Sequence, residues 1–214
     1  MQIDELGEAA YILRNLEVEP YVLAYSIELM NLPGVEEVIA SVDTVGLYVD
    51  PEVFDPETLS SVELVQTLRT KEFRVPVLFD GSDLKGICRD LSMQPEQVSE
   101  AFCAPIYTVQ AIGFLPGFPY LSGLPEIFHR FERIETPRIR VPRGAVGIAK
   151  GQTGIYPQES PGGWNLIGTT PILVADGKAK YFPMNPGDKI KFFEIDGDQA
   201  RMLDEQRLTN YEMD

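Results

Sequence analysis

The sequence has few residues of the kinds that build disulfide frameworks, metal centres or membrane spans. Its 214 residues include 2 cysteines and 1 histidine, too few for a disulfide scaffold or for a nucleophilic mechanism with a second histidine. No apolar run approaches the roughly 20 residues that cross a bilayer, and the acidic N-terminus lacks the pattern of a signal peptide. We therefore expect a cytoplasmic protein with reduced thiols, no metal and no membrane partner.

Basic residues are also scarce, since 18 Lys and Arg stand against 33 Asp and Glu, for a net charge of −15. Such a balance argues against nucleic acid or anionic membranes as partners. The acidic excess lies mainly in residues 1–101, whereas basic residues outnumber acidic ones over residues 126–153. That basic segment would attract an anionic small molecule, although its arginines could equally be solvated residues that balance an acidic domain.

The first 80 residues alternate between helix-like and strand-like patterns. The patterns predict helices and strands over the following ranges: helices 20–31 and 55–69, and strands 35–40, 44–49 and 73–79. This order predicts an α+β protein whose residues 1–80 form a small ferredoxin-like α/β sandwich. Two short helices, at 83–91 and from 92 to about 101, predict a helical connector over residues 81–104.

Residues 105–214 have a different texture, with dense Gly and Pro and several short β-rich runs. This texture predicts an all-β domain with long structured loops. Helical spacing returns only at residues 198–208, where we expect a C-terminal helix.

The loop from Gly113 to Pro125 (GFLPGFPYLSGLP) is the first candidate site. Its glycines permit unusual backbone angles and its prolines fix others, while aromatic residues surround the path. The predicted substrate-binding residues here are Phe114, Pro116, Gly117 and Phe118. The alternative is a packed structural loop without a ligand.

The second candidate site is TPRIRVPRGAVGIAKGQTGIYPQESPGGWNLIGTTP, residues 136–171. Gly-rich turns can expose backbone N–H groups to an anion, arginine can bind carboxylate or phosphate, and amide side chains can recognise a lactam. The predicted substrate-binding residues here are Arg138, Gln152, Tyr156, Gln158, Gly163 and Trp164. The alternative is a set of tight turns between strands.

Three residues of this segment are predicted to be catalytic. Glu159 is the candidate general acid or base, and Arg143 and Lys150 are candidate cations for developing negative charge. Glu159 could equally form a salt bridge with one of these two cations. The solitary His129 is expected to be a surface or packing residue. The segment lacks a Walker A loop, so any ATP would be held by a different kind of binding site or by another subunit.

These two segments, together with NPGDKIKF (residues 185–192), resemble the family of the 5-oxoprolinase B subunit, KipI and allophanate hydrolase subunit 1, which is the carboxyltransferase domain, subdomain C and D. The resemblance runs from about Tyr107 to Phe192. It implies that residues 105–214 form a cyclophilin-like β-barrel. It also implies a non-autonomous subunit of an ATP-dependent hydrolase that opens 5-oxoproline, or a related cyclic amide, to glutamate with a homologue of the 5-oxoprolinase C subunit and with the A subunit. ATP would be shared with a partner subunit, and no metal is implied.

Two positions depart from the family pattern. Phe102 stands where a histidine is common, and Thr169 stands where an arginine is common, so a potential acid/base and a potential cation are both missing. The same resemblance also allows a KipI-like inhibitor of a sensor histidine kinase. The barrel type alone suggests a peptidyl-prolyl isomerase, which is a weak argument because one fold supports many functions.

Overall fold

The computed structural model describes residues 1–213 and divides into two compact units, Met1–Arg69 and a second unit that begins at Thr70. The first unit contains β1 (Gln2–Glu5), β2 (Ala10–Arg14), α1 (Pro20–Met30), β3 (Val35–Ala40), β4 (Val45–Val49) and a 3-10 helix (Pro56–Ser61).

The first unit is an antiparallel sheet in the order β1-β2-β4-β3, covered by α1. Pro20 opens α1, since its missing N–H is not needed in the first turn, and Asn31 ends it in a left-handed conformation. Ile27 of α1 and Leu47 of β4 are buried in one apolar cluster. The predicted helix at 55–69 is instead a 3-10 helix of six residues that the Asp55 side chain caps.

The second unit holds the remaining elements. They are β5 (Glu72–Val77), α2 (Leu84–Leu91), α3 (Pro95–Cys103), β6 (Tyr107–Ile112), β7 (Pro119–Ser122), β8 (Arg138–Val141), β9 (Ala145–Ala149), β10 (Gln152–Ile155), β11 (Ser160–Gly162), β12 (Asn165–Thr169), β13 (Lys189–Glu194), α4 (Gly197–Leu203) and β14 (Glu212–Met213), with 3-10 helices at Glu126–Phe128 and Leu208–Tyr211. Eight strands form one sheet in the order β12-β9-β10-β7-β6-β13-β5-β14, and β8 pairs with β11 in a separate ribbon.

The strand predicted at 73–79 exists, but it belongs to the second unit. β5 pairs in parallel with β13 and antiparallel with β14, and its residues Phe73, Val75 and Val77 are completely buried in the larger core. The first unit therefore ends at Arg69 rather than at residue 80. With one α-helix and no place for this strand in its sheet, the first unit does not confirm the ferredoxin-like arrangement.

Helices α2 and α3 occupy the range predicted as a connector, but they pack into the core of the second unit. Ile87 of α2 and Val98 of α3 contribute to that core.

The C-terminal helix is shorter than expected and ends at Leu203. The side chain of Asp196 caps its N-terminus by accepting hydrogen bonds from the backbone N–H groups of Asp198 and Gln199. Across residues 1–213, every helix falls short of the length and apolar character needed to span a membrane. The fold is thus mixed α/β.

Candidate functional site

The second unit contains a small pocket whose walls come from both candidate segments. Its cavity volume is about 230 Å³. We call it the aromatic pocket; it is lined by Phe114, Phe118, Tyr120, Arg133, Pro137, Tyr156, Pro161, Gly162, Gly163 and Trp164. The structure therefore brings together five of the predicted binding residues from two segments that are separate in sequence.

Phe118 is the centre of the aromatic wall. Its ring lies edge-on to the rings of Tyr156 at 5.2 Å and Trp164 at 5.6 Å, measured between centroids. A third edge-on contact, at 5.5 Å, joins it to Phe114. Such T-shaped contacts favour a fixed arrangement of rings. Trp164 is only 5% exposed, whereas Phe114 is 59% exposed, so the pocket has a buried floor and an open rim.

The backbone of the first loop explains why these rings converge. Phe114 has φ 65° and Gly117 has φ 81°, a region that side chains other than glycine seldom adopt. A Cβ at Gly117 would overlap the Cβ of Ala175. Gly117 therefore shapes the loop from behind the pocket, and Pro116 is exposed outside its lining.

Glycines in the second segment leave room for the rings. A Cβ at Gly154 would come within 2.7 Å of the Phe118 ring, and one at Gly162 would overlap the phenol oxygen of Tyr156. Real Cβ atoms do not approach other heavy atoms so closely. Gly154 and Gly162 are therefore required by the packing of the pocket wall.

Arg133 alone carries a formal charge among the lining residues in the described part of the chain. Its side chain is exposed at the pocket. Burial raises the pKa of Tyr156, while a backbone hydrogen bond from Trp164 and the positive charges of Arg133 and Arg138 act in the opposite direction. The guanidinium of Arg133 thus lies close enough to influence the phenol at the pocket floor. It was not among the binding residues predicted from the sequence.

Arg138 lies behind the pocket wall, where it is paired with Asp83. One guanidinium nitrogen contacts both carboxylate oxygens at 2.6 and 2.7 Å, and the other donates to the carbonyl of Trp164 at 3.1 Å. Asp83 also accepts from the backbone N–H of Leu166 at 2.6 Å. This network fixes the backbone on both sides of Asn165, so Arg138 positions Trp164 in this structure.

The three predicted catalytic residues each face a different partner. Glu159 pairs with Arg140 through two contacts, the shorter at 2.9 Å. Lys150 occupies the turn between β9 and β10 and lies 3.8 Å from Glu132. All are outside the lining of the aromatic pocket, and their catalytic roles remain predictions.

Arg143 has a more complex environment. One terminal nitrogen lies 3.7 Å from Asp204 and 4.0 Å from Glu205, while the other is buried without a hydrogen-bond partner in the described residues. The Thr170 hydroxyl is likewise buried without a hydrogen-bond partner in the described residues. Arg143 also lies outside the aromatic pocket.

The two predicted glutamines also lie outside the pocket lining. Gln152 donates to the side-chain oxygen of Gln110 at 3.1 Å, and Gln158 is exposed. A ring nitrogen of His129 lies 2.7 Å from the carbonyl oxygen of Leu124. Within residues 1–213, no group of three or more His, Cys, Asp or Glu could hold a metal ion.

Both departures from the family pattern lie away from the aromatic pocket. Phe102 is 0% exposed and packs against the rings of Phe79, Tyr107, Phe128 and Phe192. Thr169 exchanges two backbone hydrogen bonds of 2.8 Å with Leu78, and its hydroxyl donates to Asp80. Neither substitution removes a group from the pocket.

Comparison with known proteins agrees with the resemblance in the motifs. The family model for the carboxyltransferase domain, subdomain C and D, matches residues 1–182. The 5-oxoprolinase B subunit of Haemophilus influenzae is 34% identical over 207 residues, which cover 90% of this chain and 97% of that protein. The chain therefore belongs to the carboxyltransferase domain, subdomain C and D, family.

Solved structures extend this comparison to the fold. TTHA0988 is 32% identical with a TM-score of 0.78, over 88% of this chain but 40% of its own. The chain thus spans less than half the length of that protein. The urea carboxylase of Kluyveromyces lactis is 17% identical with a TM-score of 0.70, over 94% of this chain and 22% of its own, and it shares the fold.

Proposed function

We propose that this chain is the equivalent of the B subunit in a cytoplasmic, ATP-dependent 5-oxoprolinase. With a homologue of the C subunit and with the A subunit, it opens 5-oxoproline, or a related cyclic amide, to glutamate. The aromatic pocket is the observation that carries the proposal, because family motifs from two separate segments form one small cavity with a cationic rim. The name of the Haemophilus relative supports the same activity.

The chemistry of lactam opening explains the need for ATP. The amide of a five-membered lactam is a poor electrophile, and transfer of the γ-phosphoryl group of ATP to its oxygen would activate the ring carbon. A first water would attack that carbon, and the ring C–N bond would break as the nitrogen takes up a proton, which leaves an acyl phosphate. A second water would then hydrolyse the acyl phosphate, so that phosphate leaves with the oxygen it received and the carboxylate of glutamate is formed. Cations must stabilise the transferred phosphoryl group, and Arg143 and Lys150 stay as candidates for this role.

A shared ATP site fits the dimensions of the pocket. Its volume of about 230 Å³ lies below the roughly 300–1,000 Å³ of pockets for drug-sized ligands. A triphosphate also needs several cations, whereas a single arginine lines this cavity. We therefore place the cyclic amide in the aromatic pocket and assign ATP to a site completed by the partner subunit.

We also propose that the large sheet of the second unit is a cyclophilin-like barrel. β5 and β12 lie near opposite ends of the strand order, yet Leu78, next to β5, and Thr169 of β12 exchange hydrogen bonds. Such a contact between the two ends of a sheet is what barrel closure requires.

Co-expression tests the proposed activity. The chain alone should show no turnover, whereas its complex with the C and A subunits should form glutamate from 5-oxoproline only when ATP is present. A folded complex of all three subunits that fails to produce glutamate would overturn the proposal. The KipI-like alternative predicts loss of sensor kinase autophosphorylation on binding; the name of the Haemophilus relative favours the enzyme.

A further inference from the structure

We infer that the aromatic pocket holds a five-membered cyclic amide by its apolar edge and that Arg133 binds the ligand's carboxylate at the rim. The lactam oxygen then faces the pocket mouth. This inference rests on the proposed function and adds to it the orientation of the ligand and the residue that selects it.

The buried floor of the pocket favours an apolar group. Phe118, Tyr156 and Trp164 are each at most 5% exposed, and their rings face the cavity together with Pro137 and Pro161. The Tyr156 phenol at this floor already shares a hydrogen bond with the backbone of Trp164. An amide placed against the remaining ring surface would lose hydrogen bonds to water, and a buried polar group without a partner is costly. Methylene groups carry no such cost and gain from leaving water.

The ligand has two edges of different chemistry. In 5-oxoproline the carboxylate-bearing carbon, the ring nitrogen and the lactam carbonyl are consecutive, so all polar groups lie along one edge. The two remaining ring carbons are adjacent methylenes and form the opposite edge. Insertion of the methylene edge therefore leaves the carboxylate, the N–H and the lactam oxygen together at the mouth.

Arg133 is the residue at the mouth that suits the carboxylate. It is exposed and lines the pocket, and no carboxylate in residues 1–213 lies within 4.0 Å of its guanidinium. Arg138, in contrast, is paired with Asp83. Guanidinium groups bind carboxylates through two parallel hydrogen bonds, so Arg133 can both anchor and orient the ring.

This orientation agrees with the proposed division of work within the complex. The lactam oxygen is the atom that would accept a phosphoryl group, and it must be reachable from outside the chain if a partner completes the ATP site. A ring inserted by its polar edge would hide that oxygen against Phe118 and Trp164. The methylene-first orientation keeps it open.

Binding measurements by isothermal titration calorimetry test the inference on the full chain and on its complex with the C subunit homologue. Three probes differ in one feature each: 5-oxoproline, 2-pyrrolidinone without the carboxylate, and 2-oxoimidazolidine-4-carboxylate, in which N–H replaces the methylene next to the lactam carbonyl. We expect 5-oxoproline to bind and each of the other two to bind about 10- to 100-fold more weakly. Equal affinity of 2-pyrrolidinone would overturn the carboxylate contact, and equal affinity of the imidazolidine would overturn the orientation.

Variants assign the carboxylate contact to one residue. Arg133→Met should weaken 5-oxoproline binding about 10- to 100-fold and leave the weak binding of 2-pyrrolidinone unchanged, while Arg133→Lys should be intermediate. Arg130→Met is the matched control, because Arg130 is exposed, lies three residues away and does not line the pocket. Thermal denaturation confirms that each variant is folded.

The outcomes separate this inference from the proposed function. No binding of 5-oxoproline to either the chain or the complex, or equal effects of Arg133→Met and Arg130→Met, would overturn the inference. If turnover persists and the KM of Arg133→Met is unchanged, the proposed function stands and the inference fails. Arg133-dependent binding without any ATP-dependent turnover would support the ligand class and reject the proposed function.

Discussion

The carboxylate of Asp83 receives both the guanidinium of Arg138 and the backbone N–H of Leu166. Asp83 precedes α2, whereas Leu166 lies in β12, and the backbone N–H of Asp83 donates in return to the Leu166 carbonyl at 3.1 Å. Arg138 adds a bond to the Trp164 carbonyl. One ion pair therefore connects the start of a helix to the segment that places the pocket's tryptophan.

Arg138→Met should destabilise the protein rather than act only on ligand binding. Its partner Asp83 is about three-quarters buried at the side chain, so loss of the guanidinium leaves a half-satisfied carboxylate. After allowance for solvent screening, we expect a loss of about 1–3 kcal/mol in unfolding free energy by urea denaturation. Asp83→Asn should cost a similar amount, and the double variant less than the sum.

The matched control is Arg140→Met, because Arg140 pairs with Glu159 on the surface, where the side chains are 75% and 52% exposed. Exposed pairs contribute about 0–1 kcal/mol. If Arg138→Met kept full stability but lost 5-oxoproline binding, Arg138 would be a ligand-binding residue, as its sequence context predicts.

Glu159→Gln tests the general acid or base predicted from the sequence. In the structure Glu159 is paired with the exposed Arg140 and lies outside the aromatic pocket. We therefore expect kcat of the complete enzyme complex to change less than about threefold, since a true general acid or base contributes about 10²–10⁴-fold. Arg140→Met controls for loss of the pair. A fall in kcat of about 100-fold for Glu159→Gln alone would restore the catalytic role.

Local patterns predicted several elements closely because their causes are local. The helix expected at 20–31 forms over Pro20–Met30, and the strand expected at 35–40 has the predicted bounds. In contrast, β1 was missed, because the sequence QIDE has no clear apolar alternation and lies at an exposed edge. The pairing of β5 with β13 could not be predicted from the sequence either. β13 lies far along the chain, and parallel pairing leaves no short-range signal in the sequence.

Prediction of the candidate site was limited in the same way, because part of it depends on contacts between residues distant in sequence. Aromatic and glycine content indicated Phe114, Phe118, Tyr156 and Trp164, and these residues do converge. Arg133 stands between the two motif segments, and its only signal was the basic character of residues 126–153. It reaches the pocket because the neighbouring Ile134 donates its backbone N–H to the Gly163 carbonyl at 2.9 Å. That bond joins residues distant in sequence, which composition cannot predict.

The thiol of Cys103 should be inert in the folded protein. Burial, with a smaller contribution from the negative charge of Glu194, raises its pKa to about 12. Because the thiolate is the reactive form, labelling by Ellman's reagent at pH 8 should be at least about 100-fold slower than in guanidinium chloride, where the thiol pKa is about 8.5. Cys88→Ser isolates the signal of Cys103. Rapid labelling of the native protein would contradict the expected burial.

The same pKa shift predicts a pH dependence of stability. The folded state holds the Cys103 proton more tightly than the unfolded state, in which the thiol pKa is about 8.5. This thiol's contribution to stability is therefore complete below about pH 8.5 and declines as pH rises towards 12. In Cys103→Ser this component should be absent, so the unfolding free energy should fall less between about pH 8 and pH 10.5 than in the parent protein. Parallel pH profiles of the two proteins would contradict the assignment.

Gly162→Ala should disrupt the aromatic pocket from its wall. The added Cβ would overlap the phenol oxygen of Tyr156 and lie 2.8 and 2.9 Å from two carbons of its ring, so the buried ring must move. We expect a destabilisation of about 1–3 kcal/mol, together with at least tenfold weaker binding of 5-oxoproline by calorimetry. Gly177→Ala is the control, because no heavy atom lies within 4 Å of its added Cβ.

A second substitution distinguishes a steric clash from general unfolding. Tyr156→Phe removes the oxygen that the new methyl group meets first, so the double variant Gly162→Ala, Tyr156→Phe should recover part of the stability lost in Gly162→Ala. Recovery remains partial because the ring carbons still lie within 2.9 Å of the added Cβ. If the two substitutions were simply additive, the methyl group would not be meeting the phenol, and Tyr156 would not form this part of the pocket wall.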